Sequence, residues 1–107
     1  MNEILRNRES LSPHEVFDRY YADSQLNREL VIELLDHVAA ELSLPVEKLR
    51  PNDRFAIELA PKKGNEWDSG YGILLFELQR LAKKKGKTIE KPIATIDDYL
   101  MAMSEVY

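Results

Sequence analysis

The sequence predicts an all-α protein, a small bundle of three main helices plus short turns, with an extra helix at its N-terminus. Apolar residues recur at three- and four-residue spacing in several segments, which is typical of amphipathic helices. Capping signals stand directly before those segments. A single short segment alternates apolar and polar residues, and no second segment is available to pair with it as a strand.

The first predicted helix begins at Ser12-Pro13-His14-Glu15. Ser12 can cap the helix, Pro13 suits its first turn, and Glu15 completes a capping box. We expect this helix to end near Ala22, with its buried face formed by Val16, Phe17, Tyr20 and Tyr21. Residues 1–24 are therefore predicted to form an N-terminal extension that contains one short helix.

The strongest helical pattern covers residues 25–42, with a start signal at Asp23 or Ser24. Beyond this helix, Pro45 and Pro51 indicate a long loop, interrupted by one turn at residues 46–49. The alternating residues Phe55, Ile57 and Leu59 are predicted to be loop residues whose side chains enter the core.

The third long helix is predicted to open at Trp67-Asp68-Ser69 and to stop at Gly86, with lysines in its last turn. After Pro92, a capped start at Thr95 begins the final helix, whose predicted buried residues are Ile96, Tyr99, Leu100 and Met103. Residues 25–107 are predicted to form one helical domain, which is compact together with the extension.

Composition limits the class of protein. The 107 residues include 15 basic and 19 acidic ones, a net charge of -4, and this acidic balance argues against a nucleic-acid binder. The absence of cysteine excludes a disulfide framework and a thiolate metal site, while the sequence offers neither a signal pattern nor a membrane-spanning run. We expect a cytoplasmic monomer. His14 and His37 are predicted to be surface residues, and no metal site is predicted.

The order of these segments resembles an acyl carrier protein over roughly residues 27–105. The resemblance rests on residues 31–35 (VIELL), 44–49 (LPVEKL), 52–59 (NDRFAIEL), Asp68-Ser69 and 95–100 (TIDDYL). It implies that Ser69 carries 4'-phosphopantetheine, whose thiol holds an acyl or aminoacyl group as a thioester, with Asp68 as the neighbouring acidic residue. It also implies a chain without catalytic residues, whose partners are a phosphopantetheinyl transferase and acyl-transferring or acyl-activating enzymes.

Physical chemistry is consistent with that role. A serine at a helix N-terminus lies near unpaired backbone N–H groups and the positive end of the helix dipole, which stabilise a phosphodiester. Asp68 can help to hold the magnesium ion that a transferase needs.

The sequence also departs from the family pattern. Gly70 stands where a bulky apolar residue usually follows the serine, and with Gly72 it is expected to loosen the helix start. The stretch from Leu59 to Ser69 is longer than usual and contains the basic segment 61–64 (PKKG), and the helix surface is cationic at residues 83–85. Two alternatives stay open: an unmodified carrier-like protein-interaction module, and, less favoured, a helix-turn-helix nucleic-acid binder that uses residues 83–87.

Overall fold

The computed structural model of this chain describes residues 3–60 and 70–107, and their regular structure is helical, so the all-α prediction is confirmed. The Cα radius of gyration is 13.6 Å, close to the roughly 13 Å expected for one domain of this length. The helices in chain order are α1 (Glu3–Arg6), α2 (Pro13–Tyr20), α3 (Arg28–Leu42), α4 (Gly70–Lys84) and α5 (Ile96–Val106), with a 3₁₀ turn at Val46–Lys48.

The predicted capping box at Ser12 and the predicted capped start at Thr95 are both present, and the second is also a capping box. The Ser12 hydroxyl accepts from the Glu15 N–H at 3.1 Å, and the Glu15 carboxylate accepts from the Ser12 N–H at 2.9 Å. Thr95 and Asp98 form the same reciprocal pair at the start of α5. These caps satisfy backbone donors that the first helical turn leaves free, which explains why these two starts were predictable.

The start of α3 differs from the prediction. Asn27 caps this helix by accepting from the Leu30 N–H at 3.0 Å, so α3 begins at Arg28 and not at residue 25. Ser24, one of the two predicted start signals, instead donates to the Tyr21 carbonyl at 2.6 Å and accepts from the Leu26 N–H. Its hydroxyl therefore closes the turn between α2 and α3.

One hydrophobic cluster joins all the helices of the described chain. The predicted burial of two residues is wrong, because Tyr20 is 43% exposed and Ile57 is 47% exposed. Helix α2 ends at Tyr20, short of the predicted Ala22, and Tyr21, just beyond the helix, is buried as predicted. At Ile57 the chain turns back on Arg54, whose carbonyl accepts from the N–H groups of Ile57 and Leu59, so the strand-like alternation of exposure does not hold.

The segment before α2 contributes to the core, which the helical periodicity did not predict. Leu5 in α1 and Leu11 are both buried. Arg8 donates two hydrogen bonds to the carboxylate of Asp53, at 2.7 and 2.5 Å, and a third to the Lys48 carbonyl at 2.9 Å. Asp53 is 2% exposed, so a buried charge in the long loop depends on the N-terminal segment for its partner.

The long loop is fixed at its other end by the segment before α5. The Phe55 N–H donates to the Ala94 carbonyl at 2.9 Å, and the Ile96 N–H donates to the Asp53 carbonyl at 3.1 Å. These two bonds form an isolated antiparallel bridge between Arg54 and Thr95, and no strand is present in residues 3–60 and 70–107. Phe55 and Leu59 enter the core as predicted.

The predicted end of α4 is confirmed. Gly86 adopts a φ of 68°, a left-handed conformation that glycine adopts without steric strain, and the Lys87 N–H closes the helix end on the Ala82 carbonyl at 2.8 Å. The three lysines at residues 83–85 are exposed in this last turn, where the helix dipole favours positive charge.

Candidate functional site

Ser69 and Asp68, the predicted attachment site and its acidic neighbour, lie outside the described residues, as do Trp67 and the basic segment 61–64. The site is therefore described by the residues that directly follow it in the chain, which form the first turns of α4, and by the elements that these turns contact.

Gly70, the residue after Ser69, is buried against the end of α3. A Cβ at this position would lie 2.1 Å from the carbonyl oxygen of Glu41 and 2.6 Å from its carbon, far inside van der Waals contact. Glycine at this position lets α4 approach the α3 backbone, a packing role that the sequence did not predict. Gly72 has open space around it, so at this position no packing contact offsets the cost of glycine in a helix relative to alanine.

Tyr71 connects the first turn of α4 to two other parts of the chain. Its ring lies 4.7 Å from that of Phe55, centroid to centroid, with the planes tilted by 31°. Its hydroxyl donates to the Ile93 carbonyl at 2.6 Å. The beginning of α4 is thus held by the end of α3, by the long loop and by the segment that precedes α5.

The outer face of α4 is apolar near its start and cationic near its end. Ile73 is 48% exposed and Phe76 is 66% exposed, which is unusual for side chains of this size. Arg80, Lys83 and Lys84 continue the same face at helical spacing and are exposed. This face, which we call the α4 outer face, can contact a partner that presents apolar side chains beside carboxylates.

A second group of polar side chains lies between α3 and α4. Nε2 of His37 is 3.1 Å from Oε1 of Glu77, and Glu41 follows His37 by one turn of α3. All three side chains are half-buried, and one ligand atom from each lies within 4.8 Å of the others. Within residues 3–60 and 70–107 this is the one cluster of such side chains close enough to hold a metal ion.

The two histidines have different environments. His14 is exposed on α2, as predicted, whereas the side chain of His37 is 34% exposed and paired with Glu77. The expectation of no metal site rested on the separation of the two histidines in the sequence. The spacing of His37 and Glu41, four residues apart in a helix, is the signal that could have identified the cluster.

Comparison with protein families, with curated proteins and with solved structures finds no match to this chain. No helix in the described part of the chain is both long and apolar enough to cross a membrane.

Proposed function

We propose that this protein is a carrier, which holds an acyl or aminoacyl group as a thioester on a 4'-phosphopantetheine arm attached to Ser69 and delivers it to partner enzymes. The observation that carries the proposal is the Asp68-Ser69 pair directly before α4, in an order of helices that resembles a carrier protein. The chain acts as a cytoplasmic monomer in this proposal, and its enzymes supply the catalytic residues.

Gly70 supports the proposal because it fixes the backbone immediately after the candidate serine. Packing of Gly70 against α3 sets the position of this helix start, which directly follows the candidate serine in the chain. The Phe55 and Ile93 contacts of Tyr71 hold the same turn from two further directions. A helix start also supplies the N–H groups and dipole that stabilise a phosphodiester.

The attachment chemistry requires no catalytic group in the carrier. The Ser69 hydroxyl oxygen attacks the phosphorus that bears the pantetheine of coenzyme A, and the phosphoanhydride bond breaks, with the adenosine bisphosphate as leaving group. The transferase takes up the serine proton and holds the magnesium ion, to which Asp68 contributes in this proposal.

The α4 outer face indicates the kind of partner. Exposed Ile73 and Phe76 can form the buried centre of an interface, and the cations further along the helix favour acidic residues at its edge. We therefore expect the phosphopantetheinyl transferase and the acyl-transferring or acyl-activating enzymes of this carrier to present carboxylates around an apolar patch.

Loading in vitro tests the proposal. Incubation with a broad-specificity phosphopantetheinyl transferase, coenzyme A and Mg²⁺ should raise the intact mass by one phosphopantetheine. Ser69→Ala should abolish the increase, whereas Ser10→Ala, which removes an exposed hydroxyl before α2, should load like the unaltered chain. An unloaded chain, under conditions that load a control carrier, contradicts the proposal.

A second candidate is an unmodified interaction module, and the high exposure of Phe76 specifically favours it. Such a module binds its partner through the α4 outer face without any arm. Three observations would identify the unmodified module. Its complex with the partner survives Ser69→Ala and is lost with Phe76→Ala. The native protein also has the unmodified mass.

A further inference from the structure

The cluster of His37, Glu41 and Glu77 has the chemistry of a transition-metal site. An imidazole nitrogen and two carboxylates are a ligand set that suits Zn²⁺, whereas Ca²⁺ and Mg²⁺ prefer oxygen ligands alone. The side chains come from two helices, so an ion bound by them would join α3 to α4. Their partial exposure gives the ion a path from solvent and leaves room for a water molecule as a further ligand.

The distances are compatible with that use. Zn²⁺ binds histidine nitrogen and carboxylate oxygen at about 2.1 Å, which sets neighbouring ligand atoms of a tetrahedral site about 3.4 Å apart. His37 Nε2 and Glu77 Oε1 already lie 3.1 Å apart. The remaining separations reach at most 4.8 Å, so binding requires the Glu41 carboxylate to move closer to the other two ligands.

An independent observation at Tyr99 also points to an absent ligand. This side chain is 0% exposed, and its hydroxyl has no hydrogen-bond partner among the described residues. Buried hydroxyl groups are nearly always paired, because an unpaired one loses its hydration without compensation. Burial raises the pKa of this hydroxyl, and the charges of Glu77 and Glu41 raise it further, so the group lies within electrostatic range of the cluster.

We propose that His37, Glu41 and Glu77 bind one Zn²⁺ ion between α3 and α4, and that the Tyr99 hydroxyl donates a hydrogen bond to an oxygen atom of the occupied site. The ion replaces the direct His37–Glu77 contact and joins the two long helices. Glu41 also supplies the carbonyl that Gly70 approaches, so the ion stabilises the helix pair that anchors the start of α4. The site uses neither Ser69 nor Asp68, and it stands whether or not Ser69 is modified.

Titration of the metal-free chain with Zn²⁺, followed by calorimetry or competition with a chromogenic chelator, tests the proposal. We expect saturation at one ion per chain and a rise in the thermal unfolding midpoint. His37→Gln and Glu77→Gln should each weaken the affinity at least about tenfold, since each removes a ligand while retaining side-chain size. Co²⁺ should give visible absorption bands of four-coordinate intensity, which His37→Gln should abolish.

Tyr99→Phe separates metal binding from packing. The metal-free variant should be at least as stable as the unaltered chain, because it loses only an unpaired hydroxyl, yet its Zn²⁺ affinity should fall about tenfold. A tyrosine that served packing alone would leave the affinity unchanged.

Matched controls keep the test specific. His14→Ala and Glu29→Gln change an exposed histidine on α2 and an exposed carboxylate on α3, and both variants should bind Zn²⁺ like the unaltered chain. The proposal is overturned if Zn²⁺ does not saturate at one ion per chain, if the control variants weaken binding as much as His37→Gln, or if Ca²⁺ binds as tightly as Zn²⁺.

Discussion

Gly70 and Gly72 lie in the same turn of α4 but have opposite environments. The α4 backbone can contact the Glu41 carbonyl only because Gly70 has no side chain, whereas Gly72 faces open space. The sequence alone treats both as weak helix formers, because propensity does not contain the position of a neighbouring backbone. This is why the role of Gly70 was not predictable.

Alanine substitution distinguishes the two glycines. Gly70→Ala should lower the free energy of unfolding by about 1–3 kcal/mol, because the new methyl group must displace the α3 backbone. Gly72→Ala should raise it by about 0.5–1 kcal/mol, since alanine is the better helix former. Urea denaturation followed by circular dichroism measures both changes. Equal effects of the two substitutions would contradict the close packing of α4 on α3.

Tyr21 makes the stability of the folded protein depend on pH in the alkaline range. Its hydroxyl donates to Asp97 Oδ1 at 2.5 Å, which ties the end of α2 to the first turn of α5. Burial raises the pKa of this phenol above its ordinary value of 10.0, and the hydrogen bond to Asp97 raises it further. Tyr21 ionises near pH 10 in the unfolded chain but not in the folded chain. The contribution of Tyr21 to the free energy of unfolding is therefore complete below pH 10 and is lost as the pH rises above that value.

Tyr21→Phe should therefore destabilise the protein by about 2 kcal/mol at neutral pH and make its stability less sensitive to pH above 10. Denaturation midpoints measured on both sides of that pH test the expectation. Tyr20→Phe, which removes a hydroxyl from the exposed neighbouring ring, is the matched control and should leave the pH profile unchanged. A Tyr21→Phe profile parallel to that of the unaltered chain would show that the phenol does not contribute in this way.

At the scale of elements, the start of a helix was predictable where a reciprocal cap exists and less so elsewhere. The boxes at Ser12 and Thr95 are local in sequence, so the residues themselves determine them. The cap of α3 is a single bond from Asn27, and the competing Ser24 forms a turn instead. The loop residues Phe55 and Leu59 were predictable as core from their hydrophobicity, but Ile57 was not, because its exposure depends on how the loop turns.

The N-terminal segment and the long loop are coupled through Arg8 and Asp53, 45 residues apart in the sequence. Arg8→Ala should lower the free energy of unfolding by about 3 kcal/mol, because it leaves a buried carboxylate without its charged partner. Arg19→Ala, in the exposed pair with Glu9, should change it by less than about 0.5 kcal/mol. Chemical denaturation measures both, and a small effect at Arg8 would mean that the segment does not support the loop.

At the scale of the whole molecule, periodicity predicted the helical class because each long helix buries one regular stripe of side chains. The position of α1, the bridge between Arg54 and Thr95, and the pairing of His37 with Glu77 all depend on contacts between distant parts of the chain. No local pattern contains those contacts. Ser69 and Asp68 remain a prediction from the sequence, supported by the packing of the helix start that follows them.

The most direct test of the carrier proposal is the intact mass of the protein isolated from its own cells. We expect a population heavier by one phosphopantetheine, alone or with an acyl group, and fragment ions that locate the added mass on Ser69. The Ser69→Ala chain produced in the same cells should have only its unmodified mass. A native protein entirely at its unmodified mass, in cells whose other carriers are loaded, would contradict the proposal and favour the interaction module.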